Sequence, residues 1–280
     1  MMFHIKPDQA RGSILTLSNG STEIGVALDY GIRIVHLSCS GMDNLLYRQP
    51  NDRSDGYATA EGWRLYGGHR FWLAPEGSWS TFPDNQAVTY KILSDGAEFV
   101  QQIDEWQHVI KFLRIRFRDD GAIDLIHTIK NVGHQVLHAS LWGITTFAGG
   151  ASATISFEGS QPPDDLTPRR VLALWADTNL GDPRISFHKD SIQIKHAPLK
   201  DFFKIGVFSK HGYCTLENLN QRLTIQTEPH SMEHLPDLGC NIEVFMDKKF
   251  LELETLGMLK SIAPGRYASH TETWCVTPTN

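Results

Sequence analysis

The chain has 280 residues, of which 41% are hydrophobic and 21% charged, with a formal net charge of −6. This is the composition of an ordinary globular protein, and sandwiches of about 200–250 residues fold as one domain, so a single domain over residues 1–280 is expected. The acidic balance argues against nucleic acid as a partner, because a phosphate binder carries a basic stripe.

The N-terminus has no apolar run resembling a signal peptide, and no segment is apolar over the length that spans a bilayer. The cysteines Cys39, Cys214, Cys240 and Cys275 are widely spaced and form no CxxC pair. They read as reduced thiols of a cytoplasmic protein without a membrane partner. In chain order, Thr22–Leu28 and Ile32–Cys39 read as strands around a Tyr30-Gly31 turn, and residues 51–62 as a polar loop. Strands Gln86–Leu93 and Glu98–Gln102 flank Ser94-Asp95-Gly96. Over Leu113–Arg118 the period is two, with Arg114, Arg116 and Arg118 forming a solvated face, and Asp119-Asp120-Gly121 is a hairpin turn. Ala122–Asn131 alternates again, and Leu137–Thr146 is apolar enough to be central in a sheet. A proline-rich loop over Gly159–Pro168 leads to a series of short strands ending at Thr271–Val276. No stretch holds a helical apolar period. Strands with turns every 8–12 residues predict an all-β, large antiparallel β-sandwich.

Three stretches carry chemistry. In Phe250–Leu256, read as a strand, Leu251, Leu253 and Thr255 share one face and Phe250, Glu252, Glu254 and Leu256 the other. Two carboxylates roughly 7 Å apart, framed by apolar groups, suit the floor of a binding site. The segment Tyr66–Glu76 holds His69, Arg70, Phe71, Trp72 and Glu76. Flat aromatic faces, a guanidinium fork and an imidazole suit a polyhydroxylated ligand, although a bent edge strand with core aromatics explains the same residues. In His270-Thr271-Glu272-Thr273-Trp274, a strand aligns His270, Glu272 and Trp274; a solvated edge with a covering tryptophan is the alternative. The thirteen histidines form no tight ligand motif, so no metal and no cofactor is expected. A metal-dependent β-barrel enzyme of cupin type that uses scattered histidines is a further alternative.

These residues together resemble the galactose mutarotase-like (aldose 1-epimerase-like) superfamily. Leu253-Glu254-Thr255 followed by Ile262-Ala263-Pro264-Gly265 is similar to that family's Glu-bearing strand and Leu-x-Pro-Gly turn. Gly31 after the first strand and Leu125–Asn131 before Gly133 resemble its N-terminal turn and central strand. The Gly-Gly-His-Arg-Phe-Trp-x-Ala-Pro-Glu run looks like a separate branch. The resemblance implies a super-sandwich that binds a small-molecule sugar or sugar derivative. In the family a glutamate takes the anomeric proton while a histidine protonates the ring oxygen; the ring opens, turns about C1–C2 and recloses. Glu254 matches the base. The family's histidine strand corresponds to Ser140–Phe147, which has no histidine and offers Trp142 instead. His69 or His270 is then the expected acid, with Arg70, Trp72, Glu76, Glu252 and Trp142 binding the substrate. The alternative is a carbohydrate-binding protein that keeps the groove and lacks the acid.

Overall fold

A computed structural model describes residues 2–8, 12–49, 63–77, 79–80, 83–104, 106–157, 164, 170–228 and 230–279. Two sheets contain every strand among the described residues. One runs Met2–Pro7, Ser13–Ser18, Thr22–Ala27, Arg33–Cys39, Gly68–Ala74, Leu137–Ala148, Phe250–Leu256, Ile242–Met246, Phe203–Val207 and Leu172–Leu174, with Lys260–Ile262 also paired to Leu137–Ala148. The other runs Ile185–Phe187, Ser191–Lys195, Ser152–Ser156, Tyr213–Asn218, Gln221–Thr227, Tyr267–Pro278, Ile123–Asn131, Val109–Phe117, Gly96–Asp104 and Val88–Leu93. The central pairings are antiparallel. Two single-turn 3-10 segments, Met232–His234 and Asp237–Gly239, are the only helical elements among the described residues. No helix among them is long and apolar enough to cross a membrane.

The sheets pack through side chains that alternate along each strand. Phe71, Leu73, Leu141, Leu251 and Leu253 of the first sheet join Leu113, Ile115, Ile123, Leu125 and Trp274 of the second in one core. The expected sandwich is the observed one. The loop expected over residues 51–62 lies outside the described residues, as does nearly all of Gly159–Pro168. The alternative reading of Gly68–Ala74 as a bent edge strand does not hold: the strand lies between Arg33–Cys39 and Leu137–Ala148. Its polar His69 and Arg70 disguise a strand with cover on both faces. The four cysteines are free thiols, three of them buried.

The middle of this core is polar. His127 Nδ1 faces the His270 carbonyl at 3.3 Å; a carbonyl only accepts, so Nδ1 carries the proton and His127 Nε2 is an acceptor. His69 Nε2–H therefore donates to His127 Nε2 at 2.8 Å, and His69 Nδ1 accepts from the Thr145 hydroxyl at 2.9 Å. Nearby, Thr255 Oγ1 donates to Glu272 Oε1 at 2.5 Å and lies 2.8 Å from His270 Nε2, while Trp274 Nε1 donates to Glu272 Oε2 at 2.7 Å. Each strand in the network is held to a partner by groups that are costly to leave unpaired when buried. Gly143 makes room for it: a Cβ there lies 2.2 Å from Glu272 Oε1 and 3.1 Å from Thr255 Oγ1. Gly143→Ala is expected to lower unfolding free energy by about 1–3 kcal/mol, the cost of overpacking a filled core. A shift in the urea midpoint at unchanged far-ultraviolet dichroism measures it, and an unshifted midpoint contradicts the close approach.

Candidate functional site

The other face of the same central strands builds a cavity. Register places Arg70 opposite Ile144, Ile144 opposite Glu254, and Glu254 opposite Glu243, so these four form one row across four strands. Trp72, Trp142 and Leu256 form the adjoining row on one side. Thr146, Glu252, Phe245 and Lys204 form the row on the other. The outward alternation of Phe250–Leu256 thus delivers Glu252 and Glu254 side by side, with Phe250 and Leu256 in a separate apolar cluster alongside Trp63, Leu65, Trp72, Trp142 and Ile144. The cavity holds about 330 Å³, and Glu76, Trp175 and Asp177 also line it.

Hydrogen bonds fix the two glutamates differently. Glu254 Oε2 accepts from Trp142 Nε1 at 2.8 Å and from Lys204 Nζ at 3.3 Å. Its Oε1 has no hydrogen-bonding partner among the described residues. Glu252 Oε1 accepts from Thr146 Oγ1 at 2.9 Å. Burial, then the neighbouring Glu254 charge, pushes Glu252 up to about 7, against the pull of Arg70. Lys204 sits among three carboxylates, 2.9 Å from Glu243, 3.3 Å from Glu254 and 3.9 Å from Glu76. Burial disfavours its charge, but Glu254 and Glu243 outweigh that and hold it firmly as an ammonium. Glu243 rises to about 8 through burial and repulsion from Glu254, despite Lys204. The ammonium also lies over the rings of Trp142 and Trp175 at 4.9 and 4.8 Å.

Arg70 is stacked on Trp72, with its guanidinium carbon 3.6 Å from the ring centroid. Trp72 is in turn anchored through Nε1 to Asp84 Oδ2 at 3.1 Å. Asp84 is buried, paired with Arg33 at 2.6 Å and Lys111 at 3.5 Å. Burial alone raises its carboxyl, but these cations win and hold it down at about 2.

Of the residues expected from the sequence, Glu254, Glu252, Arg70, Trp72, Glu76 and Trp142 meet in this cavity. His69 and His270 do not. His69 neighbours Arg70 and therefore faces the opposite side of the strand, into the core; His270 lies on the other sheet. Neither histidine touches the cavity, so the expectation that one supplies its acid is corrected. The cavity residues missed in the sequence are chiefly Lys204, Trp63 and Trp175, together with Glu243, which pairs with Lys204 without lining the cavity. Lys204 alternates with Phe203 and Ile205 in a short strand, but nothing local reveals partners forty and fifty residues away.

Potential metal ligands also fall in the core rather than the cavity: His69, His127 and Glu272 bring ligand atoms within 4.8 Å of one another. Two ligands about 2.1 Å from one tetrahedral ion stand about 3.4 Å apart. The two imidazoles meet at 2.8 Å, which is a hydrogen bond, and the cluster is read as structural.

The two packed antiparallel sheets define the class: the chain has the galactose mutarotase-like fold. Among similar solved structures is a candidate mutarotase of Salmonella typhimurium, YeaD, with TM-score 0.61 and 12% identity over 95% of this chain and 90% of that one. A galactose mutarotase-like protein of Lactobacillus casei superposes with TM-score 0.59 and 11% identity, over 94% of this chain and 100% of that one. A candidate aldose 1-epimerase of Escherichia coli gives TM-score 0.57 and 14% identity, over 98% and 100%. No protein-family model matches the sequence, and comparison with curated proteins finds no similar sequence.

The buried titratable groups set the dependence of stability on pH. Burial, and then in each case a neighbouring imidazole, depresses His69 to about 3 and His127 and His270 well below 6.5. The unfolded chain protonates first, so these residues remove stability as pH falls below about 6.5. Glu243, Glu252 and Glu272, raised above 4.5 chiefly by burial, remove stability as pH rises through the interval above it. Between about pH 4.5 and 6.5 the two sets oppose one another. Below about pH 4.5 the imidazoles and the depressed Asp84, Asp95 and Asp182 all act in one direction. Urea denaturation across this range is expected to show stability falling more steeply with acid below about pH 4.5 than between pH 4.5 and 6.5, where the raised carboxyls offset the imidazoles. A steady decline beginning near pH 6.5 contradicts the raised carboxyls.

Proposed function

We propose that the chain is a mutarotase-like isomerase that interconverts the anomers of a sugar in this cavity. The observation that carries the proposal is the pair Glu252 and Glu254 on one strand face of an aromatic pocket, one of them holding its proton near neutrality. The names of the similar structures supply the substrate class, a sugar. Aromatic side chains offer stacking faces for a sugar ring.

Glu254 is the base. Two donors hold its Oε2, which leaves Oε1 to accept the anomeric hydroxyl proton. As that proton leaves, the C1–O bond becomes a carbonyl and the bond from C1 to the ring oxygen breaks. Glu252, in its protonated form, gives its proton to the departing ring oxygen. Rotation about C1–C2 turns the aldehyde over. On reclosure the ring hydroxyl returns a proton to Glu252 while it attacks C1, and Glu254 returns its proton to the new anomeric oxygen. Both glutamates end as they began, and each step needs only hydrogen-bond reach of its proton. Lys204 acts through Glu254, holding its carboxylate in place, and Arg70, Trp72, Glu76 and Trp142 bind the sugar. Environments that keep one carboxylate ready to accept and another ready to donate are a recognised way of dividing acid and base roles.

A second reading, a carbohydrate-binding protein without turnover, is favoured by one observation: no histidine is among the described lining residues. Anomer interconversion followed by polarimetry separates the two. Under the isomerase reading, Glu254→Gln and Glu252→Gln each lower the rate by about 10²–10⁴-fold, the usual contribution of a positioned acid or base. The wild-type rate falls as pH rises above about 7, because Glu252 loses the proton it must donate. A rate that stays level to about pH 9 removes Glu252 from the role of acid, and an unchanged rate in Glu254→Gln removes Glu254 from that of base. Saturable sugar binding with no interconversion of any aldose establishes the binding protein instead.

A further inference from the structure

Every charge in the cavity but one is accounted for. Lys204 is shared among Glu243, Glu254 and Glu76. Glu254 is held by Trp142 and Lys204, and Glu252 by Thr146. Glu76 and Asp177 stand at the exposed rim. Arg70 differs. Its guanidinium is stacked on Trp72 at 3.6 Å and lies 5.6 Å from the centre of Trp63, yet it has neither a hydrogen bond nor an ion pair with any described residue. A half-buried guanidinium in a pocket walled by tryptophan, with its planar donors uncommitted, is a poor arrangement for an empty site and a good one for an anion.

We propose that the sugar taken by this cavity carries a carboxylate, that is, a uronic acid, and that Arg70 binds that carboxylate; the proposal rests on the sugar-isomerase reading above. Three features select a carboxylate over other groups. The guanidinium fork matches two coplanar oxygens with two parallel N–H···O bonds, and the Trp72 ring fixes the plane in which they must lie. A sugar phosphate brings a charge near −2 and a tetrahedral oxygen set, for which a second free cation is needed. The only other lining cation among the described residues, Lys204, has three carboxylates within 4 Å. A neutral sugar leaves the Arg70 fork without a planar acceptor; Asp84, Glu252 and Glu76 act on its charge only at a distance, with no hydrogen bond or ion pair. The placement also suits the chemistry. In a uronic acid the carboxylate is borne by the carbon bonded to the ring oxygen. Arg70 and Glu254 share a row two strand spacings apart, about 10 Å at the backbone. A carboxylate held at Arg70 therefore sends the ring towards the glutamate strand, with its ring oxygen next to the anchored end.

The test is calorimetric titration of the whole protein, at low salt near pH 7.5, with glucuronate and galacturonate, with glucose and galactose, and with their 6-phosphates. At least one uronate is expected to bind at least about tenfold more tightly than both its parent aldose and the 6-phosphate. In Arg70→Gln, with folding checked by near-ultraviolet dichroism, that preference is expected to vanish. In Arg70→Lys, which keeps the charge and loses the fork, it is expected to shrink. Equal affinity for uronate and aldose, a tighter 6-phosphate, or a preference that survives in Arg70→Gln overturns the proposal. If a neutral aldose is bound and interconverted without any uronate preference, the isomerase reading stands and this inference falls. If no sugar binds, both fall.

Discussion

The constraint on which this structure depends is that its central strands are covered on both faces over most of their length. Gly68–Ala74, Leu137–Ala148 and Phe250–Leu256 bury one set of side chains against the second sheet and the other around the cavity. In a strand with one wet face, a slip of one residue exposes a hydrophobic row. Here it also drives Glu254 and Arg70 into the core and pulls Thr255 and His69 out of it. The hydrogen-bonded cluster between the sheets makes the penalty larger, because Thr255, Thr145 and His69 are each the sequence neighbour of a cavity residue. Site and scaffold are thus two sides of the same three strands.

Electrostatics divide along the same line. In the core, the imidazoles are kept neutral by burial, and only neutral donors meet Glu272. In the cavity, Lys204 collects three carboxylates that would otherwise repel one another. At the seam between these regions Asp84 pairs with Arg33 and Lys111 while it holds Trp72, so the stacking surface for Arg70 is fixed by a buried ionic cluster. Truncating one partner of such a pair leaves an uncompensated buried charge. The rigidity of the pocket wall is therefore drawn from the core beneath it.

Much of this was legible in the sequence. The period of two placed Leu251, Leu253 and Thr255 opposite Phe250, Glu252, Glu254 and Leu256, and turn spacing implied the sandwich. Alternation is a local property, and the fold was read from local properties. The histidines show where that reasoning stops. His69 sits next to Arg70, and both looked suited to a sugar, yet adjacency in a strand guarantees opposite faces. His270 shares a motif with Glu272 and Trp274, but the cluster it joins needs His127, which is distant in sequence and adjacent only in the sheet. Lys204 was invisible for the same reason: its role comes from strand order, which brings Phe203–Val207 beside Ile242–Met246 and so within reach of Glu254.

The value of about 7 at Glu252 has one more consequence. With its carboxyl pushed up towards neutrality by burial and by Glu254, Glu252 has two protonation states that a charge brought beside it can shift between. An incoming ligand selects the state that suits its own charge, and the difference is exchanged with the solvent as a fraction of a proton. Binding at this site is then a three-component equilibrium of protein, ligand and hydrogen ion. The heat released on binding depends on the ionisation enthalpy of the buffer as well as on the contacts formed.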